Sequence, residues 1–470
     1  MVSSSHPLVT QAGIRALERG GNAADAALAM AAIATVAEPN TNGLGGDMFA
    51  MIWKDGELDG LNASGRSAGE LRSWAVSATG PDSITVPGAL RGWADLADRY
   101  GRFGLDTALA PAADLADRGV RCTSRIADFW VLADVAPWPA PGAGNRYRLP
   151  ELARTLRGVA EEGPDGFYRG DVARRIASCC ALSEDDLAQH ASEWVQPLRL
   201  RYHDIEVCEM PPNGQGAAAL LALALFEGLD TSLHSQIEAM KLGFADAYAH
   251  ITDAPFPMAL FDEEHLARRR ELVSPTRAGS PPASPLAEAD TVYLCAVDGD
   301  GMAVSLIQSL YMSFGSGVVA PGTGVVLQNR GACFTDAADH PNALAPRKRP
   351  FHTIMPGMLV TEGELLGPFG VVGGAMQPPA HLQLVQRLAV EGAHPQAALD
   401  APRWRLLDDW AVEVEPGLAG EIETLRDLGH RVEVGVTPHP FGAGQIILRT
   451  DSGALIGGSD SRADGYAAGL

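Results

Sequence analysis

Thr291 directly follows Asp290 and opens the run TVYLCAVDGDGMAVSLIQSLYMSFG, in which two apolar segments flank a DGDG turn. Upstream lies SPTRAGSPPASPLAEAD (274–290), rich in proline and serine and poor in strand formers. A threonine hydroxyl is a weak nucleophile that needs a neighbouring base, and a peptide nitrogen cannot serve because its lone pair is delocalised into the amide. A freed α-amine, with an unperturbed pKa of about 7.7–8.0, can. At a new N-terminus Thr291 would carry nucleophile and base in one residue. The same hydroxyl could make the cut, attacking the Asp290 carbonyl in an N-to-O acyl shift followed by ester hydrolysis. The stretch therefore reads as a precursor cut once, between Asp290 and Thr291, with 274–290 as a flexible linker that moves away afterwards. By itself, an Asp-Thr pair ahead of a strand equally marks an ordinary strand start.

Positioning such a residue needs buried strands and covering helices. TVYLCAV is apolar on both alternating sets, as expected for a strand buried on both faces. Further strands are expected at 302–309, 317–320, 325–327, 355–361, 366–372, 431–435, 443–449 and 454–458, with helices at 379–390, 395–400 and 417–429. Before the linker the periodicity is mainly helical: a first helix over 7–20 stopped by Gly20–Gly21, then an alanine-dense one capped by Asn22 and running to about Val36. Two amphipathic units fill 87–132, more helices follow at 150–162 and around 216–250, and strands are expected at 49–62, turning at KDGE, and at 198–210. The glycines of GLGGD (43–47) suggest close backbone approach to a buried site rather than a phosphate loop, since no Lys-Ser/Thr follows. Buried strands with helices outside predict an α/β (α+β) chain built as a four-layer αββα sandwich, helix-rich over residues 1–290 and strand-rich over residues 291–470.

Bulk properties narrow the partners. A net charge of −22 argues against electrostatic capture of nucleic acid or anionic membranes. The apolar stretch 23–38 is too short for a membrane span and carries Asp25. No basic, then apolar, leader pattern opens the chain, so a cytoplasmic location is expected. The six cysteines show neither CxxC pairs nor metal-like spacing, so no metal or cofactor is expected.

Several stretches carry a resemblance: SHPLVTQAGIRALERGGNAADAALA, NGLGGDMF, TVYLCAVDGDGMAVSLIQSLYMSFGSGVVAPGTGVVLQN, RKRPFHTIMP, VVGG and GGSDSRADGYAAG. Together and in this order they resemble the gamma-glutamyltranspeptidase family of N-terminal nucleophile hydrolases. The resemblance implies the αββα fold, autoprocessing into large and small subunits, and Thr291 as nucleophile. It matches Ser309 to a hydroxyl residue that bonds the nucleophile. It matches Gly373 and Gly374 to the pair whose N–H groups stabilise the oxyanion, a role worth roughly 3–4 kcal/mol per donor. A simple turn is the plain alternative for that pair.

The match departs from a glutamyl enzyme where substrate would be held. Ser64 stands where the family places an Arg, with Arg66 two residues on, and His352 and Thr353 replace a serine pair. Tyr311, Arg330 and Cys333 occupy positions that hold an α-amino group in glutamyl-transferring members, and Arg330 would repel an ammonium. SGR (64–66) and QNRG (328–331) instead resemble the oxamate amidohydrolase and acylase branch. There Arg66 and Arg330 would offer planar donors to a carboxylate or oxalyl group, the alternative being surface or subunit-contact arginines. His352 either contacts substrate or fills a pocket wall; Thr353 matches a substrate-binding position. The expected activity is acyl transfer from a small carboxylate-bearing amide. Alternatives are a glutathione hydrolase or γ-glutamyltransferase, a family member cleaving another bond, including C–C cleavage releasing an oxalyl-type acid, and an unprocessed binding protein. The expected partners are the two subunits of one precursor, with a homodimer of such heterodimers as one further arrangement.

Overall fold

The computed structural model describes every residue except 283 and 285, which fall within the expected linker and lie outside the described residues. Two sheets stack between two helical layers. In the first sheet the strands run in the order Tyr466–Ala468, Val2–Ser4, Asp290–Val297, Ala303–Tyr311, Asp47–Lys54, Glu57–Ala63, Glu193–Val195. In the second the order is Leu455–Ser459, Gly444–Arg449, Glu364–Val371, Gly357–Thr361, Ile205–Glu209, Leu198–Tyr202. Neighbours within each are antiparallel.

The strand Asp290–Val297 explains the layering. Val292, Leu294 and Ala296 join the core under the first helical layer, whereas Tyr293, Cys295 and Val297 join the core between the sheets. A strand apolar on both faces can be satisfied only with a layer on each side, as the sequence predicts. The helix Ala23–Ala37 lies across this sheet. Asn22 and Asp25 form a reciprocal capping box at its start, and its small side chains let it pack closely with nearly every residue buried. On the far side, helices Gly216–Phe226, Leu233–His250 and Gln377–Ala389 cover the second sheet.

Some expected elements differ. Residues 198–210 form a hairpin rather than one strand, because His203 at φ 51° turns the chain at His203–Asp204. The unit 87–132 holds three helices, Ala89–Tyr100, Leu105–Arg118 and Ser124–Leu132, with the third started by the Thr123 side chain. Residues 317–320 and 325–327 are not strands; they meet only through single bridges such as Val319 to Val326. Residues 431–435 contribute Val432–Val434 to a separate three-stranded sheet. The strands Val2–Ser4 and Tyr466–Ala468 add to the expected set, each being too short to show alternation in the sequence.

The glycine loop does what close approach requires. A Cβ on Gly45 would lie 2.0 Å from the Val326 carbonyl oxygen, and one on Gly46 would lie 2.4 Å from that of Ser309. The loop thus presses on the backbone of a residue that matters below. Gly46→Ala is expected to cost roughly 1–3 kcal/mol of stability through overpacking and to slow any cleavage before Thr291 by displacing Ser309. Thermal unfolding and intact mass over time check both; wild-type cleavage in Gly46→Ala would show that Ser309 tolerates the shift.

Candidate active site

Thr291 is the second residue of its strand, and Ser309 lies near the end of the adjacent one. Pairing runs from Ala303–Val297 to Gln308–Val292 and then slips, resuming at Tyr311–Asp290. The bulge holds Ser309 beside Thr291 and sets Tyr311 at φ 80°. Thr291 Oγ1 donates toward Ser309 Oγ at 3.4 Å, and Ser309 Oγ donates to the Asp290 carbonyl oxygen at 2.7 Å. Ser309 Oγ also accepts from the Tyr311 N–H at 2.7 Å. One hydroxyl therefore polarises the carbonyl of the Asp290–Thr291 bond while standing next to the threonine hydroxyl.

Arg330 closes the other side. Its side chain is fully buried (0% exposed), and its guanidinium lies 4.4 Å from the Tyr311 ring centroid. It donates to Thr353 Oγ1 at 2.8 Å and to Ser309 Oγ at 3.3 Å. No carboxylate pairs with it among the described residues, and its Nε has no partner. Tyr311, Thr353 and Cys333 also line a cavity of about 400 Å³ with Tyr248, Phe334 and Phe351.

Gly373 and Gly374 follow the strand Glu364–Val371, with φ of 123° and 61° that only glycine adopts readily. Gly373 shares a cleft of about 340 Å³ with Thr291. Among the described residues neither glycine N–H has a hydrogen-bond acceptor. Gln215 donates to the carbonyls of Thr353 and Gly374, at 2.5 and 2.9 Å, tying the two flanks together. The segment before the nucleophile covers this corner: a Cβ on Gly374 would meet Ala287 O and Ala289 N at 2.6 Å each, and Ala375 N donates to Ala287 O.

The cleft is also lined by Glu38, Arg125, Asp290 and His439. Burial pushes the Glu38 carboxyl up to about 7 and that of Asp290 up to about 6. Burial, with the Arg125 charge second, pulls His439 down to about 4. Burial thus holds two carboxyls above the ordinary carboxylate range in the cleft that Thr291 lines.

Not every expected residue converges here. Arg66 lies in an ion cluster with Asp253 and Glu193 and donates to the Arg347 carbonyl; it lines neither cavity, so a direct role beside Thr291 is not what its position gives. Ser64 is buried against Asn62 and Asn213. His352 is fully buried and bonded to Asp47 at 3.1 Å, and it lines neither cavity. Burial, then the Arg330 charge, lowers its pKa to about 4, so it is a neutral wall behind Thr353. Sequence reasoning missed, as site residues, Asp47, Gln215, Glu38, Arg125 and His439, which lie far from Thr291 along the chain; the one local signal is GLGGD, which ends at Asp47 and whose glycines point to a buried site without naming the carboxylate.

Two residues of the 274–290 segment, Ser274 and Gly279, are held by buried side chains. His234 bonds the Ser274 carbonyl at 2.8 Å, Glu238 accepts the Gly279 N–H at 2.9 Å, and Lys241 donates to the Gly279 carbonyl at 3.1 Å. His430 completes this buried group, 2.7 Å from His234. The Lys241 ammonium lies 2.8 Å from Glu238 and 3.4 Å from His430 Nδ1, within the same buried group.

The raised Glu38 carboxyl has a pH signature. It binds its proton more tightly folded (about 7) than unfolded (4.5), so its contribution to stability is whole below the lower value and is lost as pH rises through about 7. In an uncleavable Thr291→Ala chain, adding Glu38→Gln should raise stability at pH 8 relative to pH 5 by on the order of 2–3 kcal/mol. Urea unfolding at the two pH values measures this. A difference independent of pH would count against a proton held at Glu38.

Comparison with known proteins places this geometry. The gamma-glutamyltranspeptidase family model matches residues 9–470. The glutathione hydrolase-like YwrD proenzyme of Bacillus subtilis is 37% identical, with 100% of this chain and 98% of that protein aligned. The oxamate amidohydrolase proenzyme of Klebsiella pneumoniae is 34% identical, over 100% and 98%. The solved cephalosporin acylase of Bacillus halodurans superposes with a TM-score of 0.94 at 41% identity, covering 99% of this chain and 95% of that one. With the αββα architecture, these matches establish that the chain belongs to the gamma-glutamyltranspeptidase family of N-terminal nucleophile hydrolases and is an amidohydrolase or acyltransferase of that kind.

Proposed function

We propose that this chain is a precursor that cleaves itself between Asp290 and Thr291 and then hydrolyses a small amide whose acyl group bears a carboxylate. The observation that carries the reading is the Ser309 hydroxyl, bonded to the carbonyl of the bond to be cut and adjacent to the Thr291 hydroxyl. Thr291 Oγ1 attacks the Asp290 carbonyl carbon and the C–N bond breaks. The acyl group passes to oxygen, and water hydrolyses the ester, leaving an Asp290 carboxylate and a free Thr291 amine. Departure of the 287–290 segment uncovers Gly374.

In the processed enzyme the Thr291 amine takes the hydroxyl proton as Oγ1 attacks the substrate amide, and the N–H groups of Gly373 and Gly374 receive the oxyanion. The leaving amine accepts the proton, and water resolves the acyl-enzyme to a carboxylic acid. The Arg330 guanidinium, buried without a carboxylate partner, favours an acyl group that brings one, held close to the carbonyl as in an oxalyl group. The relative named as an oxamate amidohydrolase fits this chemistry. A γ-glutamyl donor is the second reading, favoured by the relatives named as glutathione hydrolases, but its ammonium would face Arg330.

Intact mass separates processing from silence: the wild-type chain should yield two fragments split before Thr291, Thr291→Ala should stay whole, and Ser309→Ala should cleave at least tenfold more slowly than Ser309→Thr. Cleavage of Thr291→Ala at this bond would remove the proposed nucleophile. With processed enzyme, Arg330→Met should lower kcat/KM on oxamate by about a hundredfold, equivalent to one or two charged hydrogen bonds, and change hydrolysis of a neutral N-acyl amide far less. Turnover of γ-glutamyl anilide well above that of oxamate would reverse the substrate assignment.

A further inference from the structure

A large concavity lies away from Thr291. Helices Pro7–Glu18, Ala23–Ala37 and Leu105–Arg118 border an open groove of about 910 Å³ on the outer face of the first helical layer. Its floor is apolar, formed by Leu8, Ala12, Leu28, Ala29, Ile33 and Leu115. Arg15, Arg19, Arg118, Arg146 and Arg148 ring it, all of them exposed.

What distinguishes these five arginines is that they gather around one apolar trough without a carboxylate partner. Elsewhere on the same layer Arg99, Arg102 and Arg157 each pair with a carboxylate at 2.5–2.6 Å. Among the described residues, none of the five around the groove has a carboxylate within ion-pair distance; Arg118 reaches only the Asp114 carbonyl. Of the two acids that line the groove, Asp25 is buried and spent on the N–H groups of Asn22, Arg102 and Phe103, which leaves Glu18. In a chain carrying −22 overall, five unpaired guanidinium groups around one apolar trough form a local field opposite to that of the molecule.

We propose that this groove binds a single-chain amphipathic carboxylate, with the alkyl chain on the Leu28–Ile33–Leu115 floor and the head group held by the rim arginines. The volume lies within the range of small-molecule sites, about 300–1,000 Å³. The guanidinium fork matches a carboxylate in two parallel hydrogen bonds, and the aliphatic stems of the arginines extend the apolar wall. A concave trough suits one chain better than a bilayer surface, which would need a protruding apolar face. None of the residues around Thr291 lines the groove, so this site is separate from the acyl-transfer site.

Isothermal titration of the full chain with sodium dodecanoate, below its micelle concentration, tests the proposal. Saturable binding of one molecule per chain is expected. It should weaken about tenfold or more in Arg15→Ala/Arg148→Ala and be blocked by the groove-filling Ala29→Trp, with far-UV circular dichroism, melting temperature and amide hydrolysis preserved in the arginine variant. Dodecanol and dodecyltrimethylammonium should bind far more weakly, and equal affinity for either would overturn the role of the charged rim. Absence of dodecanoate binding would overturn the site. So would the same arginine substitutions abolishing either a concentration-dependent dimer or co-sedimentation with phosphatidylglycerol vesicles while dodecanoate binding is unchanged, since the groove would then be a face for a second copy or for a membrane.

Discussion

The Ser309 hydroxyl is the contact on which the candidate site turns. A hydroxyl has one proton to give and two lone pairs to receive. Here the proton goes to the Asp290 carbonyl at 2.7 Å and one lone pair takes the Tyr311 N–H at 2.7 Å. Thr291 Oγ1 at 3.4 Å and Arg330 Nη2 at 3.3 Å then compete for the remaining lone pair, and both sit at the long end of hydrogen-bond range. Cutting the bond before Thr291 would remove the carbonyl that holds Ser309's proton. The same hydroxyl would then be free to donate to Thr291, so one group can serve the proposed processing step and the later catalytic cycle with different partners.

That arrangement depends on backbone placement. Ser309 sits in a bulge whose extra residue would be lost by a one-residue change of register, and Gly46 presses on its carbonyl with no room for a Cβ. Behind it Asp47 accepts from the N–H groups of Gly65 and Gly88, from Gln328 and from His352, so one buried carboxylate ties the glycine loop to the wall behind Thr353. The ties run from Asp47 to Gly65, Gly88, Gln328 and His352, so they join segments well separated in sequence.

That distance explains what the sequence can and cannot reveal. TVYLCAV declares a strand buried on two faces because periodicity is local, and Asn22 declares a helix start because a cap is local too, Asp25 completing the box in the structure. Thr291, Ser309 and the glycine pair are legible through resemblance, and the structure brings Thr291 together with Ser309 and with Gly373. The placement of Arg66 is not legible in the sequence, because neighbourhood along the chain says nothing of Asp253 and Glu193, with which it pairs. His352 is ambiguous because only its burial against Asp47 separates a wall residue from a ligand contact. The hairpin at 198–210 reads as one strand because its turn, His203–Asp204, contains neither Gly nor Pro.

In the proposed mechanism Arg330 would constrain the acyl group more tightly than its neighbours would. A buried guanidinium without an anionic partner is costly, and neutral hydroxyls at Ser309 and Thr353 offset only some of its desolvation. Asp47 is near enough to act on the surrounding wall, but its oxygens are already used and His352, neutral with its pKa lowered to about 4, stands against it. Cys333 gives no counter-charge either, since burial pushes its thiol up despite the guanidinium beside it. The positive charge is thus preserved rather than neutralised, next to where an acyl carbonyl would sit in the proposed mechanism. An acyl group with its own carboxylate would complete that pair on binding, whereas one bearing an ammonium would add a second buried cation. The same charge would also stabilise an oxyanion forming nearby, so in this reading the residue that discriminates the substrate would lower the barrier as well.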